Sequence, residues 1–184
     1  MRRHSNDKDM SERIGFRQSL PCDLASIEKL YPEAFPDEDL LPLVRELLQE
    51  KPIVLSLVGI KGASLVGHVI FTPCSLSADH RKVALLGPLA VAPLWQRQGI
   101  GTAIVRTGLE QLENEGVGQI FVLGDPNYYG RLGFVPEGDV APPYPLPAEW
   151  RGAWQSIRLG SATRPRPGKL SVPQPWLQPK LWTP

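Results

Sequence analysis

Residues 94–102 read LWQRQGIGT, with Gly99 and Gly101 one residue apart behind Gln96-Arg97-Gln98 and ahead of an apolar helical pattern. A glycine-rich turn that opens a helix is a generic anion site. The first N–H groups of the helix lack internal partners, the helix dipole favours negative charge, and glycine lets a ligand approach the backbone. The loop alone does not choose the ligand. A nucleoside-triphosphate loop needs Gly-x-x-x-x-Gly-Lys-Ser/Thr, a string absent from the chain. A dinucleotide fingerprint needs a third glycine where Ile104 stands, and a strand that ends closer to Gly99 than Ala92 does.

Upstream, IVLSLVGI (53–60), SLVGHVIFTPCSL (64–76) and VALLGPLAVAP (83–93) read as three consecutive antiparallel strands, with Lys61-Gly62 as a hairpin turn. The third is apolar almost throughout, as expected of a strand covered on both faces. Gly87-Pro88 in its middle predicts a β-bulge or splay, because proline cannot donate to a ladder. Before these, IGFRQSL (14–20) is a first strand ended by Pro21. Asp23 reads as the N-cap of a helix LASIEKLYPEAF that Pro32 kinks or splits. DEDLLPLVRELLQE (37–50) reads as a second helix, with acids at its positive end and Leu40, Leu43, Val44, Leu47 and Leu48 on one face.

Downstream, a helix from Gly99 to Glu115 carries Ile100, Ala103, Ile104, Leu109 and Leu112 on its apolar face and stops at Gly116 and Gly118. QIFVLGD (119–125) is a buried strand, PNYYGRLGF (126–134) a single helical turn leading into a further strand, and WQSIRL (154–159) completes the sheet. Strand–helix–strand order over 83–125 implies a right-handed parallel crossover.

Three of these segments carry a family resemblance. Gln96-Arg97-Gln98-Gly99-Ile100-Gly101 resembles the Gln/Arg-x-x-Gly-x-Gly/Ala motif of the GNAT superfamily of N-acyltransferases. LAVAP (89–93) looks like that family's fourth strand, and YGRLGF (129–134) resembles its Tyr-x-x-x-Gly-Phe ending. LGDPNYYGRLGF is similar to a branch of predicted bacterial acetyltransferases with a very short last helix. The resemblance implies an α/β GNAT fold over residues 13–160: a mixed, mostly antiparallel sheet, splayed between its fourth and fifth strands, with helices on both faces. Residues 1–12 are then a disordered N-terminal tail and 161–184 a Pro/Trp-rich arm.

The resemblance further implies acetyl-coenzyme A as cofactor. Its diphosphate would rest on the N–H groups of residues 97–102, helped by Arg97 and Thr102. The full expected set is Leu89, Ala90, Val91, Gln96, Arg97, Gln98, Gly99, Ile100, Gly101, Thr102 and Asn127. The splay at Gly87-Pro88 would free backbone groups at 89–91, so that the pantetheine arm pairs with them like an added strand. The implied reaction is transfer of an acetyl or short acyl group to a primary amine by direct attack on the thioester. An N–H near Ala90 or Val91 would serve the oxyanion. Tyr129 matches the family's catalytic tyrosine as general acid. Tyr128 is its neighbour, and about 100° separates adjacent side chains on a helix, so only one faces the thioester. Asn127 stands closer to Tyr129 than the family pattern has it, and it also suits a cap for the turn.

The general base is the open position. VALLGPLAVAP holds no acid, which leaves His68 in the middle of a strand, Glu33 and Asp37 between the first two helices, or water. An acyl-coenzyme A binding module without turnover therefore stands as the alternative, with a Pro-rich scaffold as a third class. A net charge of +1 and the lack of any apolar run of transmembrane length point away from nucleic acid and membranes. The charged N-terminus is no signal peptide, and a cytoplasmic protein is expected. Cys22 and Cys74 lack metal-type spacing, and no metal is expected. Ten of the 20 prolines follow residue 141, and four of the five tryptophans lie in 150–184. That tract is either a flexible tail or an arm whose tryptophans pack on the core or on a second copy, giving a homodimer. The expected acceptor is a small-molecule or peptide amine.

Overall fold

Runs of Val, Ile and Leu between glycine and proline breaks favour strands. In the computed structural model, which describes residues 13–49 and 53–183, they form a nine-stranded sheet. In chain order the elements are β1 (Ile14–Gln18), α1 (Leu24–Ala34), α2 (Leu41–Gln49), β2 (Leu55–Lys61), β3 (Ser64–Leu76), β4 (Asp79–Val91), α3 (Ile100–Asn114), β5 (Gln119–Leu123), α4 (Pro126–Tyr129), β6 (Val135–Pro136), β7 (Val140–Ala141), β8 (Trp154–Arg158) and β9 (Gly168–Ser171). The main strand order is β1-β2-β3-β4-β5-β8-β6, antiparallel except for the β4–β5 pair that α3 connects. The tail read over 1–12 lies outside the described residues, as does Glu50. No helix among the described residues is long and apolar enough to cross a membrane.

Side chains alternate across the sheet and build a core on each face. Val58, Ile70, Leu85 and Phe121 pack with Ile27, Leu30, Val44 and Leu47 of α1 and α2. Their neighbours Leu57, Phe71, Ala84 and Ile120 pack with Ile104, Val105, Leu109 and Leu112 of α3. Gly108 is the close-approach point of α3: a Cβ there would lie 2.2 Å from Cε2 of the fully buried Phe71. Overpacking of this kind costs about 1–3 kcal/mol, so Gly108→Val should destabilise the fold by about 2–3 kcal/mol, read by urea denaturation. An unchanged midpoint would show that α3 does not pack on Phe71 as described.

Gly87-Pro88 acts as the sequence suggests. Val69 faces Leu89 and Phe71 faces Leu86, so two residues of β4, joined by a cis peptide bond, stand opposite the single Ile70. The bulge reverses the alternation: Leu86 and Leu89 face the α3 side, and Ala90 faces the α1 side. Parallel pairing of β4 with β5 covers only Val83–Leu85 against Gln119–Phe121, while β5 stays paired with β8 as far as Leu123. From Leu86 onward β4 and β5 are splayed.

Several local expectations change. Asp23 does not cap α1 with its side chain. Its carboxylate turns back to the Leu20 N–H at 2.7 Å and to the Arg17 guanidinium at 2.6 and 2.9 Å. That guanidinium holds the Asp23 carboxyl below its usual range. Pro32 neither splits nor ends α1: it lies exposed in the last turn, where it removes one N–H donor and the helix runs only two residues further. α2 starts at Leu41 rather than Asp37, since Pro42 suits a first turn and leaves the three acids in the preceding turn.

The C-terminal tract is packed rather than a free tail. β9 pairs with the end of β3 and with β7. Trp176 and Trp182 are buried, with Trp176 Nε1 donating to Thr72 Oγ1 at 3.0 Å and Trp182 Nε1 donating to the Trp176 carbonyl at 3.0 Å. These rings, expected on the core or on a second copy, lie on the core of their own chain.

Candidate active site

Past Val91 the chain makes one short turn (Pro93–Trp95) and then the loop. Arg97 at φ 58° and Gly99 at φ 79° both take the left-handed conformation, the kind of backbone that forms an anion-binding nest ahead of a helix such as α3. The N–H groups of residues 97–102 make no backbone hydrogen bond among the described residues. The glutamine side chains brace the loop: Gln96 Nε2 donates to the Val91 carbonyl at 3.0 Å and Gln98 Nε2 to the Leu94 carbonyl at 3.1 Å.

The loop forms one wall of a cavity of about 620 Å³. Leu89, Val91, Gln96, Arg97, Gly99, Ile100, Gly101 and Thr102 of the expected set line it. Gln98 is spent on bracing and does not. Ala90 does not either, for a reason of register. The Ala92 N–H donates to the Val66 carbonyl of β3, so two-residue alternation turns the backbone groups of Ala90 toward β3 as well, opposite His68. Leu89 and Val91 face the splay instead. Of the backbone groups near Ala90 and Val91, the N–H groups on the splay side are therefore those of Leu89 and Val91.

Asn127 is also displaced. Asp125 caps α4 by accepting from the Asn127 N–H at 2.9 Å, and the exposed Asn127 uses its carbonyl to accept from Arg131 Nε at 2.8 Å. Arg131 and Tyr128 reach the cavity in its place. Their signal in the sequence is the spacing: Tyr128 and Arg131 stand three apart and so share one face of a turn.

The two tyrosines diverge. Tyr128 lies over the loop, where a Cβ on Gly101 would come within 2.5 Å of its hydroxyl. Burial raises its pKa, opposed by hydrogen bonding with Thr102 and by the Arg131 charge. The Tyr129 ring crosses Tyr128 edge-on at 4.9 Å and Phe134 at 5.6 Å, and it fills the space that a Gly124 side chain would take. It lines a second cavity of about 370 Å³, with Leu89 and Leu123 at the splay and Phe35 and Glu38 from the α1–α2 turn. Leu89 and Phe35 border both cavities. Burial pushes the Tyr129 phenol well above its ordinary range, so it is protonated at neutral pH.

His68 is not placed as a base. It is fully buried, with Nδ1 at 2.8 Å from the Tyr31 hydroxyl and Nε2 at 2.8 Å from Ser56 Oγ. Ser19 Oγ donates to Ser56 Oγ at 2.7 Å, and the Tyr31 hydroxyl reaches the Pro88 carbonyl at 3.4 Å. The chain of groups thus braces the bulge. Burial pushes the His68 pKa down to about 3, against an opposing contribution from Asp23. The unfolded chain therefore binds one more proton between about pH 6.5 and 3. Stability from His68 is complete above pH 6.5 and is lost as pH falls, by about 2 kcal/mol at pH 5. Urea midpoints should fall from pH 7 to pH 5, and His68→Gln should flatten that slope. An equal slope in both proteins would contradict the buried neutral state. Glu33 is near Lys29 (3.9 Å), and Asp37 is exposed in the turn, whereas its neighbour Glu38 reaches the second cavity.

Comparisons with known proteins identify the family. The model of the acetyltransferase (GNAT) family matches residues 24–134. The chain is 33% identical over 160 residues to the uncharacterized N-acetyltransferase YjhQ of Escherichia coli K12, covering 83% of this chain and 88% of that one. Among solved structures, the GNAT N-acetyltransferase YhbS from Escherichia coli in complex with CoA superposes with a TM-score of 0.82 at 26% identity, over 91% of this chain and 93% of the other. A GNAT acetyltransferase from Brucella melitensis in complex with acetyl-CoA gives 0.72 at 27% identity, over 90% and 99%. With the amide-lined loop, the splayed strands and the divergent tyrosines all within or beside the matched span, the chain belongs to the GNAT acetyltransferase family.

Proposed function

We propose that the chain transfers an acetyl, or other short acyl, group from acetyl-coenzyme A to a primary amine by direct attack on the thioester. The observation that carries this reading is the β4–β5 splay, which borders the amide-lined cavity on one side and the Tyr129 cavity on the other, with Leu89 common to both. The residues present suit the cofactor. The backbone-unpaired amides of residues 97 and 99–102, with Arg97 and Arg131, suit a diphosphate, and the open edge at Leu89 and Val91 suits an amide-bearing arm. Two structural neighbours hold CoA or acetyl-CoA.

When bound, acetyl-coenzyme A supplies an activated acyl group and a thiolate leaving group. The Val91 or Leu89 N–H donates to the carbonyl oxygen as negative charge develops there. The Tyr129 hydroxyl donates its proton to the departing sulfur. Phe35 and Leu89 exclude water from the junction of the cavities. The proton of the attacking amine passes to water or to Glu38, the acid that lines the second cavity.

The engagement of both His68 nitrogens favours one competing reading, an acyl-coenzyme A binding module without turnover. Thiol release from acetyl-coenzyme A over a panel of amines, beside a calorimetric titration, separates the two. Binding with amine-dependent thiol release is expected. Binding without release would establish the module.

A further inference from the structure

The second cavity carries chemistry that the general reading of an amine acceptor does not specify. Its volume is about 370 Å³, near the lower end for small-molecule sites, which is too small for a folded peptide segment. Phe35, Trp150 and Trp176 supply aromatic walls, and Leu181 adds an aliphatic one. Two of these four come from the Pro/Trp-rich C-terminal tract, held in place by the Trp176–Thr72 hydrogen bond and by Trp182. Among the described residues, Glu38 is the only acid in the lining and Lys180 the only base, and neither makes an ion pair. Both are exposed, so they act at the mouth, where single charges contribute modestly, and the apolar walls supply most of the discrimination.

We infer that this cavity selects a small primary amine on an aromatic or compact apolar body, with one positive charge, and that the C-terminal tract is the specificity element. This rests on the proposed acyl transfer. The body fills the space between Phe35, Trp150 and Leu181. Glu38 draws the ammonium to the mouth, and the amine, once neutral, attacks at the splay beside Leu89 and Tyr129. The amine nitrogen forms the new bond to the acyl carbon, the carbon–sulfur bond breaks, and one proton leaves the nitrogen while another is delivered to sulfur. Lys180 at the same mouth repels a second cationic group and so disfavours polyamines.

The test uses the full chain and 2-phenylethylamine, with ethanolamine, spermidine and a lysine-bearing peptide as comparators. Tryptophan fluorescence with and without saturating coenzyme A reads binding independently of turnover, because Trp150 and Trp176 line the cavity. Saturable quenching by 2-phenylethylamine is expected. Its kcat/KM should exceed those of the comparators roughly tenfold or more. Leu181→Asp should remove that preference with coenzyme A affinity unchanged, and Lys180→Glu should raise kcat/KM for spermidine several-fold. Failure of coenzyme A to bind in calorimetry would sink the transferase reading while the quenching result still decides the cavity. No saturable quenching in either condition, or a preference for ethanolamine, spermidine or the peptide, would overturn the inference.

Discussion

Tyr129→Phe is expected to lower kcat about 100- to 10,000-fold, the range for loss of a positioned proton donor. Affinity for acetyl-coenzyme A and the melting temperature should stay near those of the parent. Phenylalanine keeps the ring that packs beside Gly124 and crosses Phe134, so only the hydroxyl is lost. Burial keeps that hydroxyl protonated at neutral pH, as a general acid requires. Tyr128→Phe is the matched control, since its hydroxyl lies over Gly101 and Thr102 rather than at the splay. It should raise the KM for acetyl-coenzyme A several-fold with little change in kcat. The assay is steady-state thiol release. A Tyr129→Phe enzyme within about fivefold of the parent would remove Tyr129 from the proposed chemistry.

Gly101→Glu should weaken acetyl-coenzyme A binding by about 100-fold or more, equivalent to about 2.7 kcal/mol. The new Cβ meets the Tyr128 hydroxyl at 2.5 Å, and the carboxylate places a negative charge in the cavity that the backbone-unpaired loop residues line. The same carboxylate lies in the first turn of α3, where the helix dipole favours an acid by about 0.3–1 kcal/mol. Cofactor affinity and fold stability should therefore separate, with binding lost in calorimetry and the melting temperature held. Retained affinity would mean that the diphosphate rests elsewhere.

The sequence made some of this legible through local rules. Proline inside an apolar strand announced the bulge, because the missing donor is a property of one residue. The loop from Gln96 to Gly101 was readable because outward amides depend only on backbone conformation and the start of a helix. What escaped depends on register or on distant partners. The backbone of Ala90 faces β3 because of where the bulge shifts the alternation, and no local pattern fixes that shift. Asp23 found Arg17 on β1 before it could cap α1. His68 meets Tyr31 from α1 and Ser56 from β2, two elements that only the folded sheet brings together. Trp176 and Trp182 lack periodicity altogether; their places follow from β9 joining β3 and from their ring N–H donors. Glu38 rather than Asp37 enters the second cavity because of the turn between α1 and α2, which Pro42 shortens the helix to allow.

In the proposed reaction the splay between β4 and β5 carries the acyl thioester from the amide loop to Tyr129. A crystal structure of the chain with acetyl-coenzyme A tests it most directly. The diphosphate is expected within hydrogen-bonding distance of the amides of residues 97–102, the pantetheine arm along Leu89 and Val91, and the sulfur beside the Tyr129 hydroxyl. A cofactor bound with its thioester outside the splay, or with the Tyr129 hydroxyl turned away from the sulfur, would contradict it.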